Sequence, residues 1–302
     1  MNHLQNEINN YLISTFDKIK INSNYVTNGD VFIALKGSNT HGNNYVSDAL
    51  KNGAKYIITD KTLNNHINKE IILKVNNTFN FLKSVATKKR NQFKGNVIAI
   101  TGSVGKTSIK EFLKFFLSSE GIISASIKSY NNYLGVLISL INMNKDSLFS
   151  IFEVGTNNFN EIKKLSSLIR PKQVIISNIY PTHLKSFGNT RNIAIEKSDL
   201  INPKYNPNVE LVILPTTNKD EIYIKQQAIK FFIKSIITFG EENKNDYSIE
   251  KINKINNFLS DITFKTKSRN VSFKTSTSFK HHIINILITF IIYDYNKKKK
   301  LR

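Results

Sequence analysis

Cysteine is absent from the 302-residue sequence, which excludes disulfides, thiolate zinc sites and cysteine nucleophiles. Acidic residues are scarce, 22 Asp and Glu against 43 Lys and Arg, giving a net charge of +21. That balance by itself points to nucleic acid or an anionic membrane. Arginine-rich blocks and glycine-aromatic RNA motifs are missing too, and lysine is spread along the chain among abundant Asn and Ile, so no nucleic-acid partner is expected. Long hydrophobic runs are lacking. The most apolar stretch, Ile283 to Tyr293, is about half of what a bilayer span needs; it reads as a buried helix, and no membrane insertion is expected. The opening MNHLQNEINN has neither a basic leader nor an apolar core, so it does not read as a secretory signal and a cytoplasmic location is expected.

What the chain does have is VIAITGSVGKTS at 97 to 108, a strand, a phosphate loop and a helix start in that order. Val97 to Ile100 form the apolar run of a covered strand, and Gly102 and Gly105 let the backbone turn its N–H groups inward. An anion fits there. Lys106 can reach the outer phosphates, Thr107 can offer a hydroxyl to Mg2+, and the helix brings the positive end of its dipole. Ile109, Phe112, Leu113, Phe116 and Leu117 have the spacing of that helix's packed face. The full loop pattern would have glycine at Ile100, so this is the shorter TGxxGKT form.

Strand candidates lie at Val31 to Leu35 and Tyr56 to Thr59, with turn signals at Gly29-Asp30, Gly37, Gly42 and Gly53, which together resemble a small α/β domain. A helical connector, Phe79 to Phe93, leads into the phosphate-loop strand. Further candidates recur at Phe149 to Val154, Val174 to Asn178, Val209 to Leu214 and Ile233 to Thr238, with helical patterns between most of them. This alternation predicts an α/β fold with a parallel sheet covered on both faces.

Five segments carry a family resemblance: GSVGKTSIKE (102 to 111), YNNYLGV (130 to 136), FEVGTNNFNEI (152 to 162), RPKQVIISNIYPTHLKSFG (170 to 188) and IEKSDL (195 to 200). The chain resembles the Mur ligases, most of all the members that add D-alanyl-D-alanine to UDP-N-acetylmuramoyl-tripeptide in peptidoglycan precursor synthesis. The resemblance implies an N-terminal domain for the UDP substrate over 1–86, including the start of a connector, and a central ATP-binding domain over 87–302. It also implies ATP and Mg2+ as cofactors, an acyl-phosphate intermediate, and a role in cell-wall biogenesis, cell shape and division.

By resemblance, Lys106, Glu153, His183 and Lys197 are the catalytic candidates. Gly102, Ser103, Val104, Gly105, Lys106, Thr107 and Ser108 would hold ATP phosphates, with His281 and Asn285 toward adenine. Thr107, Glu153 and His183 are the metal candidates, joined by Lys197 when carbamylated. Asn131, Asn132, Thr156 and Asn157 would meet the muramoyl peptide, and Ser23, Phe32 and Gly37 the UDP part. Asn131 and Asn132 also read as a simple turn. The chain departs from the family at Asn22, Asn24 and His41 around the UDP segment, and at Phe279 and His282 near adenine.

Family members continue into a third domain, and such domains take roughly 100 residues or more. After Asn296 the sequence gives four lysines, Leu301 and Arg302, so the expectation is a truncated or frameshifted frame lacking that domain, or one whose third domain is separately encoded. Two functions follow as alternatives: an ATP-dependent ligase, or a non-catalytic remnant or half of a split enzyme that only binds ATP or UDP-muropeptide.

Overall fold

The computed structural model describes residues 3–63, 68–127, 129–242 and 244–300; Leu301 and Arg302 lie outside them. The chain divides into two compact units, residues 1–94 with 137–146 and residues 95–136 with 147–302.

The first unit runs α1 (His3–Ser14), β1 (Ile19–Lys20), β2 (Val31–Ile33), α2 (Val46–Lys51), β3 (Tyr56–Thr59), β4 (Ile72–Lys74) and α3 (Thr78–Gln92). Among the described residues its strands form a parallel sheet in the order β1-β2-β3-β4. β2 and β3 are buried along their whole length, as parallel strands covered on both faces are. Phe32, Ala34, Val46, Ala49 and Ile57 pack together on one side.

Lys89 of α3, only 1% exposed, ties this unit together: its ammonium donates to the carbonyls of Leu12, Thr15 and Ile141. The first two close α1. Ile141 lies in the last turn of a helix introduced below, so one cation meets two helix C-termini, where free carbonyls and the dipole favour positive charge.

The second unit continues with β5 (Asn96–Thr101), α4 (Lys106–Leu117), β6 (Ile123–Ala125), α5 (Tyr133–Asn142), β7 (Phe149–Glu153), α6 (Glu161–Ile169), β8 (Gln173–Ile176), α7 (Leu184–Phe187), α8 (Thr190–Ser198), β9 (Leu211–Pro215), α9 (Lys219–Lys230), β10 (Ser235–Gly240), β11 (Tyr247–Asn256), β12 (Leu259–Thr266), β13 (Asn270–Thr275) and α10 (Lys280–Lys300). α5 starts here, and its residues from Leu137 count with the first unit. The sheet order is β13-β12-β11-β10-β9-β8-β5-β7-β6. From β6 to β11 all pairs are parallel. The last two pairs are antiparallel hairpin partners, an edge that the alternation of strands and helices did not predict.

Ile98, Ile100, Ile151 and Ile175 pack on one face of this sheet with Ile109, Leu113 and Leu117 of α4 and Ile283, Leu287 and Ile291 of α10. The predicted buried helix at Ile283 to Tyr293 is therefore the middle of α10. Among the described residues no helix is long and apolar enough to cross a membrane. In α4 the predicted face is shifted: Ile109, Leu113 and Leu117 are buried, Phe112 is partly so, and Phe116 is 40% exposed.

Candidate functional site: a phosphate loop and the cavity beside it

The phosphate loop links the end of β5 to the start of α4. Gly102 sits at φ +147°, and a Cβ there would fall 1.9 Å from Ser177 Oγ, so this position accepts no side chain. The loop is laced to the strand end beside it. Asn178 Oδ1 accepts from Ser103 N at 3.1 Å and Val104 N at 3.0 Å, while Ser177 Oγ and Asn178 Nδ2 donate to Val104 O at 2.6 and 3.1 Å.

A cavity of about 220 Å³ opens beside the loop, lined by Gly102, Ser103, Lys106, Asn131, Thr156, Asn157 and others. Most of its residues follow the C-terminal ends of β5, β6, β7 and β8, the edge at which open α/β sheets bind ligands, and Lys197 reaches it from α8. Two cations share one anchor there. Lys106 Nζ donates to Gly102 O at 2.9 Å and Lys197 Nζ to the same carbonyl at 3.2 Å. Burial lowers the Lys106 ammonium's pKa against the pull of Glu153. Lys197, 3% exposed, is pushed down to about 7 by burial and by Lys106, against the attraction of Glu196.

Glu153 closes β7 and is 2% exposed. Thr107 Oγ1 donates to its Oε2 at 2.8 Å, Asn131 Nδ2 to its Oε1 at 2.9 Å, and its own N–H goes to Ser126 Oγ at 3.1 Å. Gly155 lets Asn131 approach: a Cβ there would lie 2.8 Å from the Asn131 amide. Asn132 lines the same cavity and accepts from Gly135 N at 2.8 Å, capping the start of α5. The pair thus forms a turn and faces the cavity together.

Thr156 and Asn157 are held by two carboxylates. Burial would raise the pKa of Glu161, but hydrogen bonds from Asn157, Asn158 and Thr156 hold it low. Glu196 of α8, 2% exposed, accepts from Asn160 N and Ile162 N, each at 2.8 Å. It serves as the N-cap of α6, whose own cap residue Asn160 makes no side-chain cap bond. His183 is exposed, heads α7 at φ +53° and lines the cavity with Thr182. Among the described residues no group of three or more His, Asp or Glu side chains is arranged to hold a metal.

The other predicted residues fall at different distances from this centre. Asn285, 7% exposed, reaches the loop, its Oδ1 3.3 Å from where a side chain on Gly105 would begin. His281 is exposed one turn earlier in α10, its ring 4.2 Å from that of His282. Ser108 is exposed in the first turn of α4. In the first unit Ser23 is buried at the start of a short 3-10 turn, Phe32 is a fully buried core side chain, and Gly37 lies in an exposed turn. Sequence reasoning missed Ser126, Asn178, Glu161 and Glu196 as site residues, although the last three stand inside the motif segments.

Residues 100–293 match the Mur ligase middle domain, and residues 15–92 match the Mur ligase family, catalytic domain. The chain belongs to the Mur ligase family. A UDP-N-acetylmuramoyl-tripeptide–D-alanyl-D-alanine ligase of Rickettsia prowazekii is 38% identical over 228 residues, covering 76% of this chain and 50% of the relative. A crystal structure of MurF from Acinetobacter baumannii superposes with a TM-score of 0.74 at 26% identity, over 91% of this chain and 59% of that one. MurF of Thermotoga maritima in complex with ADP shares the fold, with a TM-score of 0.77 at 23% identity over 95% of this chain and 64% of that one. The chain spans about half the length of the curated Mur ligases it matches.

Proposed function

We propose that this Mur ligase chain carries the nucleotide and acyl-donor half of a D-alanyl-D-alanine-adding ligase of peptidoglycan precursor synthesis. The observation that carries the reading is the convergence of Lys106 and Lys197 on Gly102 O, beside the Thr107–Glu153–Asn131 chain and in one cavity with Thr156 and Asn157. The Lys106 ammonium and a helix N-terminus next to amide side chains suit a polyphosphate meeting a polar peptide. In the proposed reaction the tripeptide's terminal carboxylate attacks the γ-phosphorus of ATP and ADP leaves. The amine of D-alanyl-D-alanine then attacks the acyl carbon and phosphate leaves. The chain's part is positioning and charge stabilisation.

Mg2+ fits the donors, since Thr107 and Glu153 offer hard oxygens 2.8 Å apart and this ion takes its remaining ligands from phosphates and water. When bound it would neutralise phosphate charge. His183 is the further ligand candidate. Lys197 is a candidate for carbamylation, because a lysine near neutrality holds free amine for attack on carbon dioxide, releasing a proton.

The test is mass-spectrometric detection of UDP-muramoyl pentapeptide after incubation with Mg-ATP, UDP-muramoyl tripeptide and D-alanyl-D-alanine. Product above a Lys106→Ala control supports the ligase. A folded chain that binds Mg-ATP and makes no product is instead a binding fragment or one part of a split enzyme.

A further inference from the structure

Ser103 stands among the expected nucleotide contacts, yet its hydroxyl is fully engaged elsewhere. Tyr180 N–H donates to Ser103 Oγ at 2.9 Å, Ser103 Oγ donates to Tyr180 O at 3.0 Å, and Thr182 Oγ1 donates to Ser103 Oγ at 3.3 Å. A serine hydroxyl has one proton and two lone pairs, so these three bonds exhaust it. The backbone adds to the tie, with Ser103 N–H also meeting Asn178 O at 3.1 Å. His183 directly follows Thr182, in a left-handed conformation at φ +53° that is uncommon for a non-glycine residue. Ser103, Thr182 and His183 line the same cavity.

We propose that Ser103 is a positioning residue whose hydroxyl joins the phosphate loop to the 180–183 segment and so fixes His183 at the cavity. A ligand that moves the Ser103–Val104 stretch of the loop then moves His183 with it. The inference deepens the reading of this cavity as a phosphoryl-transfer site and rests on it for its catalytic meaning. The joint itself consists of hydrogen bonds within the chain.

The experiment compares the full chain with Ser103→Ala and Ser103→Thr, following the His183 ring signals by NMR and the exchange rate of the Tyr180 amide. Alanine removes the three hydroxyl bonds and leaves the backbone ones. The expected result is a shifted or broadened His183 signal and at least tenfold faster Tyr180 exchange in Ser103→Ala, with threonine restoring both because it keeps a hydroxyl. An unchanged His183 signal and Tyr180 rate in Ser103→Ala overturns the proposal, as does a threonine variant that behaves like alanine. Mg-ATP titration of the same samples keeps the two claims apart: a wild-type chain that binds no Mg-ATP contradicts the proposed function, while the joint is judged on the unliganded signals alone.

Discussion

Thr107 Oγ1 donates a hydrogen bond to the Glu153 carboxylate at 2.8 Å, joining the first turn of α4 to the last residue of β7. The phosphate loop and the neighbouring strand end therefore present a hydroxyl and a carboxylate side by side. For Glu153→Gln the expected outcome is a fall of tenfold or more in Mg-ATP affinity, about 1.4 kcal/mol. ADP binding in EDTA should change by less than threefold, since the lost charge acts through the cation. Calorimetric titrations with and without Mg2+ check this, and equal losses in both would contradict a metal role for Glu153.

Glu196 caps α6 from another helix and fastens the loop carrying Thr156 and Asn157. Glutamine offers one acceptor where the carboxylate takes two N–H groups, so Glu196→Gln should destabilise the second unit by about 1–2 kcal/mol. It should also weaken UDP-muramoyl-tripeptide binding more than Mg-ATP binding. Urea denaturation and paired titrations measure the two effects. Equal weakening of both ligands would count against the loop's role in holding the peptide.

Lys89→Met should cost the first unit about 2–4 kcal/mol, because three carbonyls lose one shared ammonium inside the protein. The readout is the urea midpoint followed by hydrogen exchange in α1 and α3. A loss under about 0.5 kcal/mol would mean that water replaces the ammonium.

The pH dependence tests Lys197. Its pKa is about 7 when folded, against an ordinary lysine value of 10.5. Between those values the unfolded chain binds more protons, so stability rises with pH across that window, by up to about 1.4 kcal/mol per pH unit. Below about 7 both states are protonated and the full penalty of a buried charge remains. In carbon-dioxide-free buffer the wild type should therefore gain stability over Lys197→Met between pH 7 and 9. Parallel curves for the two proteins would show that Lys197 titrates normally.

The parts of this arrangement legible in sequence are those set by local spacing. The apolar run before Gly102 and the Gly-Lys-Thr that follows locate β5, the loop and α4, because strand, turn and helix each leave a short-range pattern. Tyr56 to Thr59 coincides with β3 for the same reason. The edge hairpins were not anticipated, although Ser260, Ile262, Phe264 and Thr266 are buried at alternate positions. Ser260 and Thr266 put polar side chains on the buried face of β12, which masks that period-two signal. Partners brought together by the fold were out of reach: nothing near Glu196 in sequence indicates that its carboxylate caps a helix 34 residues earlier. Phe32 shows the opposite failure, since it belongs to a substrate-like segment while its side chain packs the core.

The central claim is that this cavity transfers phosphate from ATP to a peptide carboxylate, and oxygen tracing tests it most directly. The tripeptide substrate is labelled with 18O in its terminal carboxylate and incubated with the chain, Mg-ATP and D-alanyl-D-alanine, and the released phosphate is weighed by mass spectrometry. The account predicts one 18O in each phosphate released with amide product, and none with Lys106→Ala. Phosphate that carries no label, with both oxygens still on the tripeptide, would contradict it.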